Sequence, residues 1–160
     1  MATELEDLKI LQTAEGIADA VWKQVVQWDE FARDVVGKQL ARATDSIGAN
    51  IAESYGRFNY GEKLQFLYYS RGSLFETKYW LNRAQLRKLL QPEQVKDYAA
   101  RLSDVARQLN SFASSLRAQR KDDRVQPKSI REPNAEYAVG EQLDAVIPLF
   151  AENEFTWLES

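Results

Sequence analysis

The sequence predicts an all-α protein: a bundle of four main helices followed by an acidic C-terminal tail. Three observations carry that prediction. Apolar residues recur at spacings of three and four along most of the chain before residue 124, the period of helices with one buried face. No stretch shows the strict alternation of a half-buried strand. Pro127, Pro133 and Pro148 exclude a long helix in the remainder, where the composition turns acidic. The bundle is therefore assigned to residues 1–124, and a partly extended acidic tail to 125–160.

Residues 1–12 lack good periodicity and read as a frayed lead. From Thr13, the expected N-cap, Ile17, Val21, Val25, Trp28 and Ala32 recur at helical steps, with Ala18, Trp22 and Phe31 beside them. The first helix is expected to end near Trp28. Asp29 then caps a second helix, unless the two form one kinked rod. Gly37 weakens that helix locally, by about 1 kcal/mol. Leu40, Ala43, Ile47 and Ile51 give its buried face, and Ala41, Gly48, Ala49 and Ala52 around them allow a close neighbour. It should reach Tyr55, with Gly56 at positive φ opening the turn Gly56–Gly61.

A third helix is expected over Glu62–Leu90, with Leu64, Leu67, Arg71, Leu74, Lys78, Leu81 and Leu86 on one face and Tyr68 and Phe75 widening it. Pro92 ends that run and can open the fourth helix at its first position. There Val95, Tyr98/Ala99, Leu102, Val105/Ala106, Leu109, Phe112/Ala113 and Leu116 form the seam of an antiparallel bundle or coiled coil. The opposite face carries Lys96, Arg101, Arg107, Arg117, Arg120 and Lys121, and the helix should dissolve near Asp122-Asp123.

Composition narrows the function. The chain has no cysteine and no histidine. Ser-His-Asp triads, Cys-His dyads and ordinary zinc sites all need one or both. Carboxylate, lysine or tyrosine chemistry is what remains, so the expectation is a non-enzyme with no cofactor and no metal. No apolar run approaches the length of a membrane span, and the N-terminus lacks the basic start and apolar core of a signal peptide, so a cytoplasmic protein is expected. The net charge of −3 hides a division: −5 over residues 1–56, +9 over 57–131 and −7 over 132–160.

Two stretches carry a pattern. In Gln39-Leu-Ala-Arg-Ala-Thr-Asp-Ser-Ile-Gly-Ala-Asn-Ile-Ala-Glu-Ser54, Ser46, Asn50, Glu53 and Arg57 share one helix face with the turn that follows. In Gln65-Phe-Leu-Tyr-Tyr-Ser-Arg-Gly-Ser-Leu-Phe-Glu76, Arg71, Ser73 and Glu76 interrupt an apolar surface. Together they resemble the four-helix-bundle family of rRNA intervening-sequence proteins, which includes the accessory variability determinant of diversity-generating retroelements. The resemblance covers roughly residues 14–118. Ser54 stands where the family commonly has glycine, and the acidic tail has no recognised counterpart. The resemblance implies an up-and-down bundle assembled as a barrel-shaped homopentamer. It also implies relatives that bind nucleic acid and hold a reverse transcriptase.

The residues themselves leave several readings open. Ser46, Asn50, Glu53, Arg71, Ser73 and Glu76 are expected to form a structural polar network, with Arg71 bridging Glu53. A catalytic or metal role would need Glu53 and Glu76 together, and a small-ligand site is a further alternative for the cluster. Arg57, Lys63, Arg83, Arg87, Lys88, Arg101, Arg107, Arg117, Arg120 and Lys121 are the candidate phosphate contacts, with Phe58, Tyr60, Tyr68 and Tyr69 as stacking surfaces. An ordinary solvated face is the plainer reading of those charges. The expected partners are further copies of the chain, RNA or DNA, or a reverse transcriptase. The rival is a protein-interaction ring with no nucleic acid. Phe155 and Trp157 are the candidate anchors of the tail on the basic surface of its own or a neighbouring subunit, and a flexible solubilising tail is the plainer reading.

Overall fold

The computed structural model describes residues 4, 5 and 8–125. Among them there is no strand, and helices account for nearly every residue after Leu8. They are α1 (Lys9–Val25), α2 (Glu30–Ala32), a π-helical turn (Arg33–Gly37), α3 (Lys38–Gly56), α4 (Tyr60–Leu86) and α5 (Pro92–Val125). The α2, π and α3 segments follow one another with no non-helical residue between them, so the bundle has four rods. Among the described residues no helix is long and apolar enough to cross a membrane.

Each rod runs antiparallel to the next. Ser70 of α4 donates to the Ile47 carbonyl of α3 at 2.8 Å, and Ser54 of α3 donates to the Lys63 carbonyl at 2.7 Å. Gln108 and Gln94 of α5 reach Thr13 and Gln24 of α1 at 3.1 and 3.0 Å. Arg117 of α5 donates to the Tyr68 hydroxyl of α4 at 2.8 Å. The order around the square is α1, α3, α4, α5, an up-and-down bundle. Its core holds Ile17, Val21, Leu40, Ile47, Ile51, Leu74, Leu81, Val95 and Val105, all essentially sealed from solvent.

Several local expectations are corrected. Thr13 caps nothing: α1 begins at Lys9, Leu8 precedes it without a side-chain cap, and Thr13 donates back to the Lys9 carbonyl at 2.8 Å. Asp29 does cap, accepting the Ala32 N–H at 3.0 Å. Gly56 is not left-handed; it closes α3, and extended Arg57 starts the turn. The left-handed residue among those described is Lys88, at φ 60°. The Lys88 N–H reaches the Gln85 carbonyl and the Leu89 N–H reaches that of Ala84, a Schellman ending. It stops α4 at Leu86 and turns Leu90 into the core. Pro92 opens α5 as expected, but that helix continues past Asp122-Asp123 to Val125.

The buried seam of α4 also differs from the face read in the sequence. It runs Leu67, Ser70, Leu74, Thr77, Leu81, Ala84, while Leu86 is 66% exposed and Arg71 and Lys78 flank the seam. Ser70 and Thr77 are tolerated there because each hydroxyl bonds a carbonyl, Ile47 and Ser73 respectively.

Gly37 has a packing role. A Cβ there would stand 2.6 Å from Val25 Cγ1 and 3.4 Å from the Trp28 ring. Val25 is β-branched and stiff, so it yields poorly. Gly37→Ala is therefore expected to destabilise by about 1–2 kcal/mol despite alanine's better helix propensity. Gly16 of α1 has nothing within 4 Å of its would-be Cβ, so Gly16→Ala should gain up to ~1 kcal/mol. Urea unfolding of the two variants reads these opposite signs.

Candidate nucleic-acid interface

The ten cations singled out in the sequence do not form one patch. Arg57 and Lys63 flank the α3–α4 turn. Arg57 pairs with Glu53 and stacks over Phe66, its guanidinium carbon 4.6 Å from the ring centre. Lys63 Nζ lies 3.4 Å from the Tyr55 carbonyl, at the negative end of the α3 dipole. Arg83, Arg87 and Lys88 sit at the other end of α4, about 36 Å away by helical rise from Lys63 to Arg87. Arg101 pairs with Asp97 and stands seven residues from both Gln94 and Gln108, on the stripe of α5 that meets α1. Arg120 and Lys121 are exposed near the end of α5.

The expected polar network is also rearranged. Arg71 does not bridge Glu53, which Arg57 holds instead. Arg71 lies 5.8 Å over the Phe75 ring, because its helical position turns it towards α5 rather than α3. Glu76 pairs with Arg42 at 3.2 Å. Ser46 bonds its own helix at Arg42. Asn50 does reach Ser73 across the α3–α4 interface, at 3.4 Å. Glu53 lies eleven residues beyond Arg42 on α3, about 16 Å of rise, so the structure does not bring Glu53 and Glu76 together. Among the described residues no three His, Cys, Asp or Glu side chains gather as metal ligands. The tail anchors Phe155 and Trp157 lie outside the described residues.

What the fold does bring together is a strip between α4 and α5. On α4, Tyr68, Phe75 and Asn82 repeat every seven residues, as do Arg71 and Lys78 beside them. On α5, Lys96, Asn110 and Arg117 share one heptad stripe and Arg107, Ser114 and Lys121 the next. The Arg117–Tyr68 hydrogen bond joins the two rods. The strip thus holds six cations with Tyr68, Phe75 and Tyr79 among them, and Tyr79 is 56% exposed. Phe75, Lys78, Tyr79, Asn82 and Arg83 line an open depression along it. The acids of α4 are Glu62 and Glu76, and those of α5 up to Lys121 are Glu93, Asp97 and Asp104. Of these, Glu93 falls on the Arg107 stripe, two heptads back at the start of α5, and Asp104 pairs with Arg107 from one turn back. Arg71, Lys78 and Lys96 were missing from the sequence-based set. Their signal was spacing in multiples of seven: Arg71 to Lys78, Arg107 to Lys121 and Lys96 to Arg117.

On the opposite side of the bundle, between α1 and α3, Asp45 lies near Asp19. Burial first, and then the nearby Asp19 carboxylate, push the Asp45 carboxyl above its ordinary value of 3.8. A raised carboxyl pKa means that the folded state disfavours the ionised form. That penalty is lifted below pH 3.8, where the group is protonated in both states, and sets in as pH rises through the raised value. Asp45→Asn should therefore raise Tm at pH 7, and the gain should vanish as pH falls below 3.8. Thermal melts across that range read it.

Fold and surface thus define a helical-bundle protein with a basic, aromatic-bearing strip between α4 and α5. The chain belongs to the 23S rRNA-intervening sequence protein family, whose model matches residues 6–111. No curated protein matches it.

Proposed function

We propose that this chain is a non-enzymatic, self-assembling accessory protein that binds RNA or DNA along the α4–α5 strip. The observation that supports this is the grouping of Arg71, Lys78, Lys96, Arg107, Arg117 and Lys121 with three aromatic rings and a single carboxylate, Glu93, on the same stripes. Cations track phosphates, and rings and guanidinium planes offer stacking surfaces to unpaired bases. A strip without a base-reading motif favours binding by backbone and shape over sequence. The family's printed description, with its 23S rRNA intervening sequence, makes RNA the first nucleic acid to test. The resemblance extends the proposal to a cytoplasmic homopentamer and to a nucleic-acid-processing partner such as the reverse transcriptase of a retroelement.

The rival reading, a protein-interaction ring, draws on the opposed charges of the two parts of the chain, −5 over residues 1–56 and +9 over 57–131. A basic part of one copy against an acidic part of the next makes a head-to-tail contact, which gives a ring when the rotation closes. Exposed Trp22 on α1 and Val26 just after it add apolar area to such a contact. Titrating labelled single-stranded RNA at low and at physiological salt separates the two. Binding that weakens steeply with salt supports the nucleic-acid role; its absence at roughly 50 mM salt favours the ring. Sedimentation of the same samples reads subunit number.

A further inference from the structure

We propose that residues 132–160 of the same chain lie back along the α4–α5 strip and occupy it until nucleic acid displaces them. The displacement rests on the function proposed above; the docking does not.

Charge is the first argument. The segment carries seven carboxylates and no Lys or Arg. The strip carries Arg71, Lys78, Lys96, Arg107, Arg117 and Lys121 on stripes whose one acid is Glu93, at the start of α5. Place is the second. Lys121 stands on the strip four residues before Val125, the last described residue of α5, so the segment is tethered near one end of the strip. Pro127, two residues further on, disfavours a continued straight helix. From Lys121 back to Lys96 is about 37 Å of helix. The 29 residues of 132–160 reach at most ~96 Å when extended, ample to cover it. Chemistry is the third. Tyr137, Phe150, Phe155 and Trp157 are interspersed among the carboxylates, so the segment offers anions and flat rings in turn. A nucleic-acid strand presents the same two groups to the cations, Tyr68, Phe75 and Tyr79 of the strip.

Zero-length carbodiimide cross-linking tests the docking without any ligand. It joins carboxylates to lysines in contact, and peptide mapping locates the links. In the full chain, links from 132–160 should fall on Lys78, Lys96 and Lys121, several-fold above those on Lys9, Lys23, Lys38, Lys63 and Lys88. They should disappear at about 0.5 M salt, where screening is strong. A mixture of isotopically light and heavy protein should show them within one chain. Links that are missing, evenly spread over all lysines, or formed only between chains would overturn the proposal.

A second chain, with Glu132, Glu136, Glu141, Glu152, Glu154 and Glu159→Gln and Asp144→Asn, keeps the length and loses the charge. It should bind oligouridylate about tenfold more tightly than the unaltered chain at low salt. Saturating RNA should remove the strip links from the unaltered chain. Strip links with no RNA binding by either chain would leave the docking standing and remove the nucleic-acid function. RNA binding without strip links would do the reverse.

Discussion

Replacing Arg71, Lys78, Arg107 and Lys121 together by glutamine is expected to weaken single-stranded RNA binding by about 100-fold or more at low salt. Four lost phosphate contacts should also flatten the dependence of log affinity on log salt by about 3, given ~0.7 per contact on a single strand. Arg117 is left in place because it holds the Tyr68 hydroxyl at 2.8 Å, and its loss would disturb the α4–α5 contact. The fold should survive the change, since Arg107 and Lys121 are exposed and Arg71 and Lys78 stand beside the seam rather than in it. The control is Arg87→Gln with Lys88→Gln, two exposed cations in the α4–α5 turn. Removing that pair should change affinity by only a fewfold. Equal losses per charge in both variants would mean that net charge, not the strip, sets binding.

The second large effect is on stability. Leu74→Ala should cost about 2–5 kcal/mol, because Leu74 is fully buried in the middle of α4 and its loss opens a cavity that four packed rods cannot collapse. Leu86→Ala should change stability by no more than ~0.5 kcal/mol, because that side chain is 66% exposed past the seam. Urea denaturation of both variants checks the pair. Similar losses at the two positions would contradict the seam described for α4.

These two leucines show how much was legible in the sequence. Helix number, order and the apolar faces around Ile47 and Leu102 followed from periodicity, because a large apolar residue marks nearly every turn of those faces. Along α4 the signal was weaker. Ser70, Thr77 and Ala84 hold core positions, yet a reading by size prefers Leu86 and passes over hydroxyls. Hydroxyls enter a core when a carbonyl lies within reach, as Ile47 does for Ser70, and that partner is set by the pairing of α3 with α4. Helix ends were legible where the cap is chemical, as at Asp29 and Pro92. The end of α4 was not, because a lysine occupies the left-handed position where glycine is the usual signal.

The candidate site was legible only in part. The basic character of residues 57–131 was plain, but composition does not say which charges share a side. Glu53 and Arg71 looked like partners because both sit in motifs that face an interface. The fold gives Glu53 to Arg57 one helical turn away and lays Arg71 over Phe75. Local ion pairs at four-residue spacing form within a single helix, whereas cross-helix pairs need the register to suit them. The strip becomes visible once charges are counted in sevens along the two rods that meet.

Photo-cross-linking of a 4-thiouridine oligonucleotide, to the unaltered chain and to the chain with its tail carboxylates amidated, tests the interface most directly. Adducts should concentrate on peptides carrying Tyr68, Phe75 and Tyr79 and on those spanning Lys96–Lys121. Adducts confined to the α1–α3 side or to the Phe58 turn, or none on either chain, would contradict a phosphate-binding strip between α4 and α5.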